Sequence, residues 1–242
     1  MYMMKKQAGF TLVEVLVAIV VGMIIIGVIY AGVIASQRFT VGVDRKVVAY
    51  QDARAVLDLM ALEIQMASFN PNYTTDLWRD PSNCTSQSGN QTYKGIQAAT
   101  GSVLSIEADI DEKNGVLKVS PATDPPTNPN EIITYKFDAD KQYITRNTGC
   151  GGDQAFLGDA PASGNPRGVR VINTAAVPVF RYFNAQGGEI TTAAGIPDIA
   201  RIDITLWVET EDVDPSTGQR RKMVYSTSVI PRNHVINVNP GS

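Results

Sequence analysis

The chain has 242 residues, of which 44% are hydrophobic and 19% are charged, enough for one domain with a substantial core. Its formal net charge of −3 gives no electrostatic basis for a dedicated nucleic-acid binder, so we predict no specific nucleic-acid partner. The single histidine, His234, excludes a histidine-rich metal site and argues against a histidine-based triad, and we therefore expect no enzyme, metal or cofactor.

The continuous apolar sequence is concentrated at the start of the chain, where residues 15–35 carry no charge. A helix of this length spans about 30 Å, the thickness of a bilayer's hydrocarbon core. A secretory signal peptide would have a shorter apolar stretch followed by a small-residue cleavage site, and no convincing site follows here. A plain membrane anchor fits the length but leaves Glu14 unexplained, because a carboxylate within a membrane normally has a partner or a role.

The residues around Glu14 form a more specific pattern. Lys5-Lys6 precede the segment Gly9-Phe10-Thr-Leu-Val-Glu14, and the apolar run follows directly. This arrangement resembles the leader and helix start of type IV prepilins and pseudopilins. The resemblance implies that prepilin peptidase cuts between Gly9 and Phe10, that Phe10 is then N-methylated, and that Glu14 becomes the fifth residue of the mature chain.

A cut before Phe10 would give Glu14 a partner. The new α-amino group would be largely protonated near neutral pH. In an apolar filament core, this cation and the Glu14 carboxylate of a neighbouring subunit would neutralise each other, which favours one axial register over its slips. Alternatively, Glu14 only reaches the membrane surface, but that does not explain Gly9-Phe10. We therefore predict that Glu14 is the assembly residue.

The charges flanking the apolar run give a mixed signal about its orientation. Lys5 and Lys6 place the amino terminus in the cytoplasm by the positive-inside rule, whereas Arg38, Arg45 and Lys46 lie just beyond the other end. Because a long domain can be exported despite such charges, we predict a single pass through the bacterial inner membrane with the head in the periplasm. Incorporation into a pilus or pseudopilus would follow, possibly reaching the cell surface.

Helical periodicity continues beyond the membrane segment. Apolar residues recur at the steps of three and four that mark one helix face, namely Val43, Val47, Tyr50, Ala53, Leu57, Met60, Ile64 and Ala67. The other positions hold charged residues such as Glu63, and the next proline is Pro71. We predict one helix over residues 10–69, with a membrane or filament-core half at 10–36 and an amphipathic half at 37–69.

Three glycines interrupt the membrane half of this helix, at Gly22, Gly27 and Gly32. Each lowers helix propensity by about 1 kcal/mol relative to alanine in water, which favours bending or local melting there. Close packing against other helices is the competing interpretation.

After residue 70 the sequence changes to short strand-like runs separated by turn residues. We predict hairpins of 103–110 with 116–119 and of 132–137 with 143–146, and further strands at 177–183, 199–209 and 223–230. The alternation of apolar and polar residues in the last two favours an antiparallel sheet with one face buried against the helix. The predicted fold is α+β, with a leader at 1–9, the helix, and a β-rich head at 70–242.

Two tracts, 70–100 and 148–168, are predicted to be long loops, and each contains one of the two cysteines. In an oxidising periplasm, a disulfide between Cys84 and Cys150 is favoured over free thiols or intermolecular pairing. Such a bridge would contribute about 4 kcal/mol in the chain-entropy model.

Acidic and basic clusters in the head have plain structural interpretations. Asp109 with Asp111, and Asp212 with Asp214, echo calcium loops but lack the sixth-position glycine and twelfth-position acid of an EF-hand. We interpret both as turns. The basic run at 220–222 is interpreted as part of an exposed hairpin, with DNA contact as the minority alternative.

Two further stretches narrow the resemblance. Residues 51–58 of the helix and 225–233 near the carboxyl end look like the minor pilin family PilW and the related J-class minor pseudopilins of type II secretion. Such subunits help to initiate filament assembly at or near its tip. The resemblance implies prepilin peptidase, other major and minor pilins, the inner-membrane assembly platform and possibly an adhesin as partners. A secretion pseudopilin, or a pilus-borne subunit whose long loops bind a surface or DNA, are the alternatives.

Overall fold

The computed structural model describes residues 9–82, 89–110, 117, 130–158, 168–211, 213–214 and 217–236. Within them, one long helix precedes a head of antiparallel strands, so the predicted α+β class is confirmed. Helix α1 extends over Leu12–Met66, a length of 55 residues or about 80 Å. It begins two residues after the predicted start and ends three before the predicted end.

The first half of α1 has no covering surface within the chain. Its segment Leu12–Gln37, 26 residues, is long and apolar enough to cross a membrane, and the apolar window within it is 0% buried. Large side chains such as Ile26 and Val28 are 67% and 68% exposed. Because exposed apolar surface of this extent is unfavourable in water, this half requires lipid or partner helices around it.

The second half of α1 packs on the head. Five positions of the predicted apolar face are buried, namely Ala53, Leu57, Met60, Ile64 and Ala67. In contrast, Val43, Val47 and Tyr50 remain 43–45% exposed, so the predicted face is covered only from Ala53 onwards. Residues 37–66 of a helix span about 45 Å, whereas the longest strand spans about 34 Å. This half of α1 is therefore longer than the sheet that covers it.

One sheet of the head follows the chain in order. Its strands are β1 (Ile96–Ala99), β2 (Val103–Glu107), β3 (Ile132–Asp138), β4 (Tyr143–Thr148) and β5 (Gln154–Leu157), antiparallel in the order β1-β2-β3-β4-β5. The predicted hairpin around residues 138–140 is confirmed, with Asp138 paired to Tyr143. Asp138 Oδ1 accepts hydrogen bonds from the N–H groups of Asp140 (3.1 Å) and Lys141 (3.0 Å), which fixes the turn.

Two predictions for this sheet are wrong. β2 has β1 on one side and β3 on the other, since Ile106 pairs with both Ile96 and Ile133, so β2 is not the partner strand of a hairpin with 116–119, of which only Leu117 is described. The Asn114-Gly115 turn lies outside the described residues. The two tracts predicted to be long loops contain β1 and β5, whose four residues each are too few for a clear alternating pattern.

The second sheet is built around the longest strand. Its strands are β6 (Val169–Val171), β7 (Phe180–Phe183), β8 (Glu189–Ile190), β9 (Arg201–Thr210) and β10 (Lys222–Val229), in the order β10-β9-β7-β8 with β6 also on β9. The predicted alternation is confirmed, since Ile202, Ile204, Leu206 and Val208 are all buried. The predicted strand at 177–183 is shorter, starting only at Phe180. A short helix α2, Arg232–Ile236, follows β10.

Helix α1 contacts β9 and β10 of the second sheet and β5 of the first. Asp52 Oδ2 lies 3.5 Å from where a Cβ on Gly168 would be, close to the carboxyl end of β9. At the other end, Ser68 lies 2.7 Å from His234, just beyond the last residue of β10. These two contacts set the direction of the head half of α1, which runs parallel to β10.

The buried face of α1 can be tested with a pair of substitutions two residues apart. Met60 is 0% exposed and Leu62 is 57% exposed. Met60→Ala should lower the free energy of unfolding by about 3 kcal/mol, because it leaves a cavity in the core. Leu62→Ala should lower it by less than about 1 kcal/mol, since the side chain leaves no cavity. Denaturant unfolding of the full chain in detergent micelles measures both, and equal losses would contradict the packing described.

Candidate processing and assembly site

The first turn of α1 joins Thr11 and Glu14 through reciprocal hydrogen bonds. Thr11 Oγ1 accepts a hydrogen bond from the Glu14 N–H at 3.3 Å, and Glu14 Oε2 accepts one from the Thr11 N–H at 2.9 Å. Thr11 Oγ1 also donates to Glu14 Oε2 at 3.0 Å. This capping box satisfies main-chain donors that have no partner at a helix start. Its sequence signal is the Thr-x-x-Glu spacing, which the interpretation of Glu14 from sequence did not use.

The predicted cleavage bond lies just outside the helix. Phe10 is 87% exposed, and Thr11 after it has an extended backbone, with φ −79° and ψ 150°. No atom lies within 4 Å of where a Cβ on Gly9 would be, and its φ is not in the left-handed region. The fold therefore gives no reason for a glycine at this position. Residues 1–8 of the predicted leader lie outside the described residues, and cleavage and methylation stay predictions.

The Glu14 carboxylate retains a free side in this arrangement. Both hydrogen bonds that it accepts end on Oε2, and among the described residues none is recorded on Oε1. The carboxylate is exposed, as are the apolar residues around it. It can therefore keep its contacts with Thr11 while Oε1 accepts a hydrogen bond from an ammonium group of another chain.

The three glycines of the membrane half do not lie on one face of α1. Their spacing of five residues turns each by about 140° from the last. No atom lies within 4 Å of a Cβ built on Gly22, Gly27 or Gly32, and α1 continues through all three. A single helix-packing groove cannot use all of them, so bending and close packing both stay predictions.

A buried ion pair attaches α1 to the first sheet. Glu63 is 5% exposed and binds Arg146 in two places, with Nη2–Oε1 at 2.5 Å and Nε–Oε2 at 3.2 Å. The Tyr135 hydroxyl donates to Glu63 Oε2. Burial, reinforced by the Glu63 carboxylate, raises the pKa of Tyr135 well above its usual range, so it remains a donor. The assignment of Glu63 to a polar face is wrong, because β3 and β4 supply partners that periodicity cannot show.

A second buried network attaches α2 to the end of α1. The Ile196 carbonyl can only accept, so His234 Nε2 carries the proton and donates to it at 2.8 Å. His234 Nδ1 then accepts from Ser68 Oγ at 2.7 Å, and Ser68 Oγ accepts from the Gly95 N–H at 2.9 Å. Burial lowers the pKa of His234 to about 4, so the ring is neutral at pH 7. Ser68 and His234 are both 0% exposed, so their hydrogen bond holds α2 against the end of α1 and has no contact with solvent.

A third buried group, Glu107, lies next to this network. It is 1% exposed, and its Oε2 accepts a hydrogen bond from the Arg79 N–H at 2.9 Å. Its main-chain carbonyl accepts from the Ser68 N–H at 2.8 Å. Burial raises the pKa of Glu107 to about 8. The carboxyl group is therefore largely protonated at neutral pH.

The predicted cysteine pair is described only in part. Cys150 lies in the turn after β4, half-buried against a small cluster that contains Trp78 and Ile132. No free cysteine occurs in the part of the chain that the structure describes. Cys84 lies outside the described residues, so the Cys84–Cys150 disulfide stays a prediction.

The acidic loops are described in part as well. Asp111 and Asp212 lie outside the described residues, whereas Asp214 binds Arg221 at 2.6 Å within the β9–β10 turn. The Gly218 N–H donates to the Asp214 carbonyl at 2.8 Å, as in a turn. Across the described ranges, no three or more His, Cys, Asp or Glu side chains are grouped so that they could hold a metal ion.

Glu107 makes stability depend on pH in a defined direction. Its pKa in the folded chain, about 8, exceeds the ordinary value of 4.5, so the folded state holds the proton more tightly. For this group stability is therefore greatest below pH 4.5, falls as the pH rises from there to about 8, and changes little above that. Between pH 6.5 and 9 we expect a loss of about 2 kcal/mol. Glu107→Gln should abolish this loss, and an unchanged slope in that variant during denaturant unfolding would contradict the assignment.

Comparison with known protein families locates the motif at the helix start. Residues 4–30 match the family model described as the prokaryotic N-terminal methylation motif. The match contains Gly9, Phe10 and Glu14 and most of the apolar half of α1. No curated protein and no solved structure gives a significant match to the chain. The chain thus carries a prokaryotic N-terminal methylation motif on a long apolar helix that leads into an α+β head.

Proposed function

We propose that this chain is a minor pilin-like structural subunit of a type IV pilus. The observation that carries the proposal is the methylation motif at residues 4–30, placed on a helix whose 26-residue segment Leu12–Gln37 is long and apolar enough to cross a membrane. Such a helix needs lipid before assembly and other helices after it. Prepilin peptidase would cut between Gly9 and Phe10, and Phe10 would then be methylated on its new amino group.

Assembly would join Glu14 of one subunit to the Phe10 amino group of a neighbour. Within a bundle of apolar helices, either charge alone would be strongly unfavourable, and the pair offsets that cost. Glu14 stands in the first turn, held by Thr11, so its position relative to the helix axis is fixed before a neighbour arrives. The partners would be prepilin peptidase, other major and minor pilins, the inner-membrane assembly platform and an adhesin.

The location follows from the same helix. The segment Leu12–Gln37 would anchor the chain in the inner membrane, with the head in the periplasm, until extraction into the filament. In the periplasm, Cys84 and Cys150 would form a disulfide between the two tracts, 70–100 and 148–168, that lie on either side of β2 to β4 in the sequence. The bridge would hold the 70–82 segment to the turn after β4, beside the Trp78 and Ile132 cluster.

The proposed role as a minor pilin, rather than a major one, rests on the resemblance of residues 51–58 and 225–233 to the PilW family. In the fold the start of one stretch lies beside the start of the other, since Tyr225 packs edge-on against Tyr50, the residue just before 51–58, with ring centroids 5.6 Å apart. The shared sequence thus falls where the helix joins the head. The J-class pseudopilins of type II secretion share this layout, and a secretion pseudopilus is the alternative filament.

Processing can be tested from the mass of the protein. Purified from the membranes of its own bacterium, the wild-type chain should lack residues 1–9 and carry one added methyl group, as measured by intact mass spectrometry. Gly9→Val should remain uncleaved. Since no atom lies within 4 Å of a Cβ at Gly9, that variant should keep the helix content and unfolding midpoint of the wild type. An uncleaved wild-type chain would contradict the proposal.

Assembly can be tested by separating the two roles of Glu14. Glu14→Gln keeps an oxygen for the Thr11 N–H but removes the charge, whereas Thr11→Val keeps the charge and removes the N-cap oxygen. We expect Glu14→Gln to lower incorporation into sheared filaments by about tenfold or more, because the partner ammonium is left unpaired. Thr11→Val should leave incorporation within about twofold, with a cost of about 1 kcal/mol at the helix start. Quantitative mass spectrometry of filaments and membranes measures both, and normal incorporation of Glu14→Gln would contradict the assembly role.

A further inference from the structure

The border strand β10 has an unusual free edge. In the part of the chain that the structure describes, it pairs only with β9, over eight consecutive residues without a register shift. The strand β10 contains no proline, and its only charged residue is Lys222, at its first position. Val224 on its outward side is 60% exposed. A long, regular edge whose single charge lies at its first residue is a template for another strand.

The other border strands described have the protection that β10 lacks. The pairing of β1 with β2 is interrupted by a bulge, and β1 contacts the 3-10 helix Ala193–Asp198. β5 has four residues and a bulge against β4. β8 has two residues, of which Glu189 is charged and binds Arg181 at 2.7 Å. β6, which pairs with β9, has only three residues. Bulges, charges and shortness are how sheets avoid unwanted pairing, and β10 has none of them beyond Lys222, which indicates an edge that receives a partner.

The hydrogen bonds of β10 show which groups would bind. The Thr210 N–H donates to the Arg221 carbonyl at 3.0 Å, which makes this a hydrogen-bonded pair. In an antiparallel ladder such pairs alternate, so the odd-numbered residues of β10 bond to β9. Val224, Ser226 and Ser228 therefore direct their N–H and C=O groups away from β9. Within the described residues, no hydrogen bond to these main-chain groups is recorded.

From this edge we propose that β10 receives an extended, uncharged segment of another filament subunit as an added strand. The docking itself follows from the edge, and the identity of the partner rests on the proposed function. The incoming strand would place apolar residues beside the half-buried row of Met223 and Tyr225, and small or β-branched residues beside Val224 and Ser226. Tyr225 packs on Tyr50, which is 43% exposed on α1, so the docked strand adjoins the assembly helix.

A second copy of this chain does not fit the same edge. Antiparallel pairing of β10 with β10 would require a two-fold axis perpendicular to the sheet, which reverses every element of the second copy. Since the head half of α1 runs parallel to β10, the two membrane helices would then point in opposite directions. Subunits anchored in one membrane cannot meet in that way. The other border strands of a second copy are bulged or short, so we assign the occupant to a strand from a different kind of subunit.

The edge can be tested with a peptide of alternating threonine and valine, eight residues long, with a lysine at each end and a fluorescent label. Binding to the full chain in micelles should slow hydrogen exchange at the outward amides of Lys222, Val224, Ser226 and Ser228 but not at the odd-numbered amides of β10. The same peptide N-methylated at alternate residues should bind about tenfold more weakly or worse, because it has lost its donors. Equal binding of the two peptides would overturn the proposal, and because the protein is the same in both measurements, a folding defect could not explain the result.

A matched pair of variants tests the same edge from the other side. Ser226→Pro removes an outward N–H, and Ser226→Val keeps it. We expect about tenfold weaker peptide binding for the first and unchanged binding for the second, with unfolding midpoints compared as a check on the fold. Unchanged binding by a folded Ser226→Pro variant would count against strand addition.

The occupant can be identified in the producing bacterium. A photocrosslinker replacing Val224 should join this chain to another pilin-like subunit in purified filaments, whereas the same group at the exposed Asp140 should not. Crosslinks between two copies, or no excess over Asp140, would overturn the choice of occupant. If Glu14→Gln is incorporated normally while the peptide still binds, the proposed filament role is contradicted and strand addition to β10 stands. If the wild-type chain is incorporated into filaments but does not bind the peptide, strand addition to β10 is contradicted and the proposed filament role stands.

Discussion

The structure depends on one helix, α1, whose two halves require two different environments. In its first half, residues such as Ile26 are two-thirds exposed, which is tolerable only in lipid or among other helices. In its second half, Met60 and Ile64 are fully buried by the head's own sheets. The change occurs within a continuous helix, without a linker, so the head cannot move freely relative to the anchor. Any force on the membrane half is transmitted directly to the core of the head.

The polar residues of α1 follow the same division. Glu63, within the head, has its partners in the same chain, since Arg146 and Tyr135 bind both of its oxygens. Glu14, within the apolar half, has Thr11 as its hydrogen-bond partner among the described residues, and one oxygen accepts both bonds. A carboxylate needs compensation in an apolar environment. The head therefore supplies the partners of Glu63 itself, whereas among the described residues no hydrogen bond is recorded on Glu14 Oε1.

Sequence reasoning succeeded where the pattern is local and long. It predicted α1 within three residues, the β3–β4 hairpin and the buried face of β9, because apolar periodicity persists over many residues in each. It missed β1 and β5, which are too short for a pattern, and it misplaced Glu63, whose partners come from distant strands. It could not find the Ser68–His234 contact, which joins residues 166 positions apart. The capping box of Thr11 and Glu14 was readable from its spacing, but the charge of Glu14 drew the interpretation elsewhere.

The two roles of Glu14 support each other. A free glutamate side chain loses rotamer freedom when it forms an ion pair, and that loss opposes assembly. In this chain part of that loss has already occurred, because the Thr11 N–H and hydroxyl both donate hydrogen bonds to the carboxylate in the first turn. The hydrogen bonds end on Oε2, so pairing through Oε1 does not require them to break. A helix cap, which in a single subunit only satisfies the main-chain groups of the first turn, thereby also orients the carboxylate that, under the proposed function, another subunit would bind.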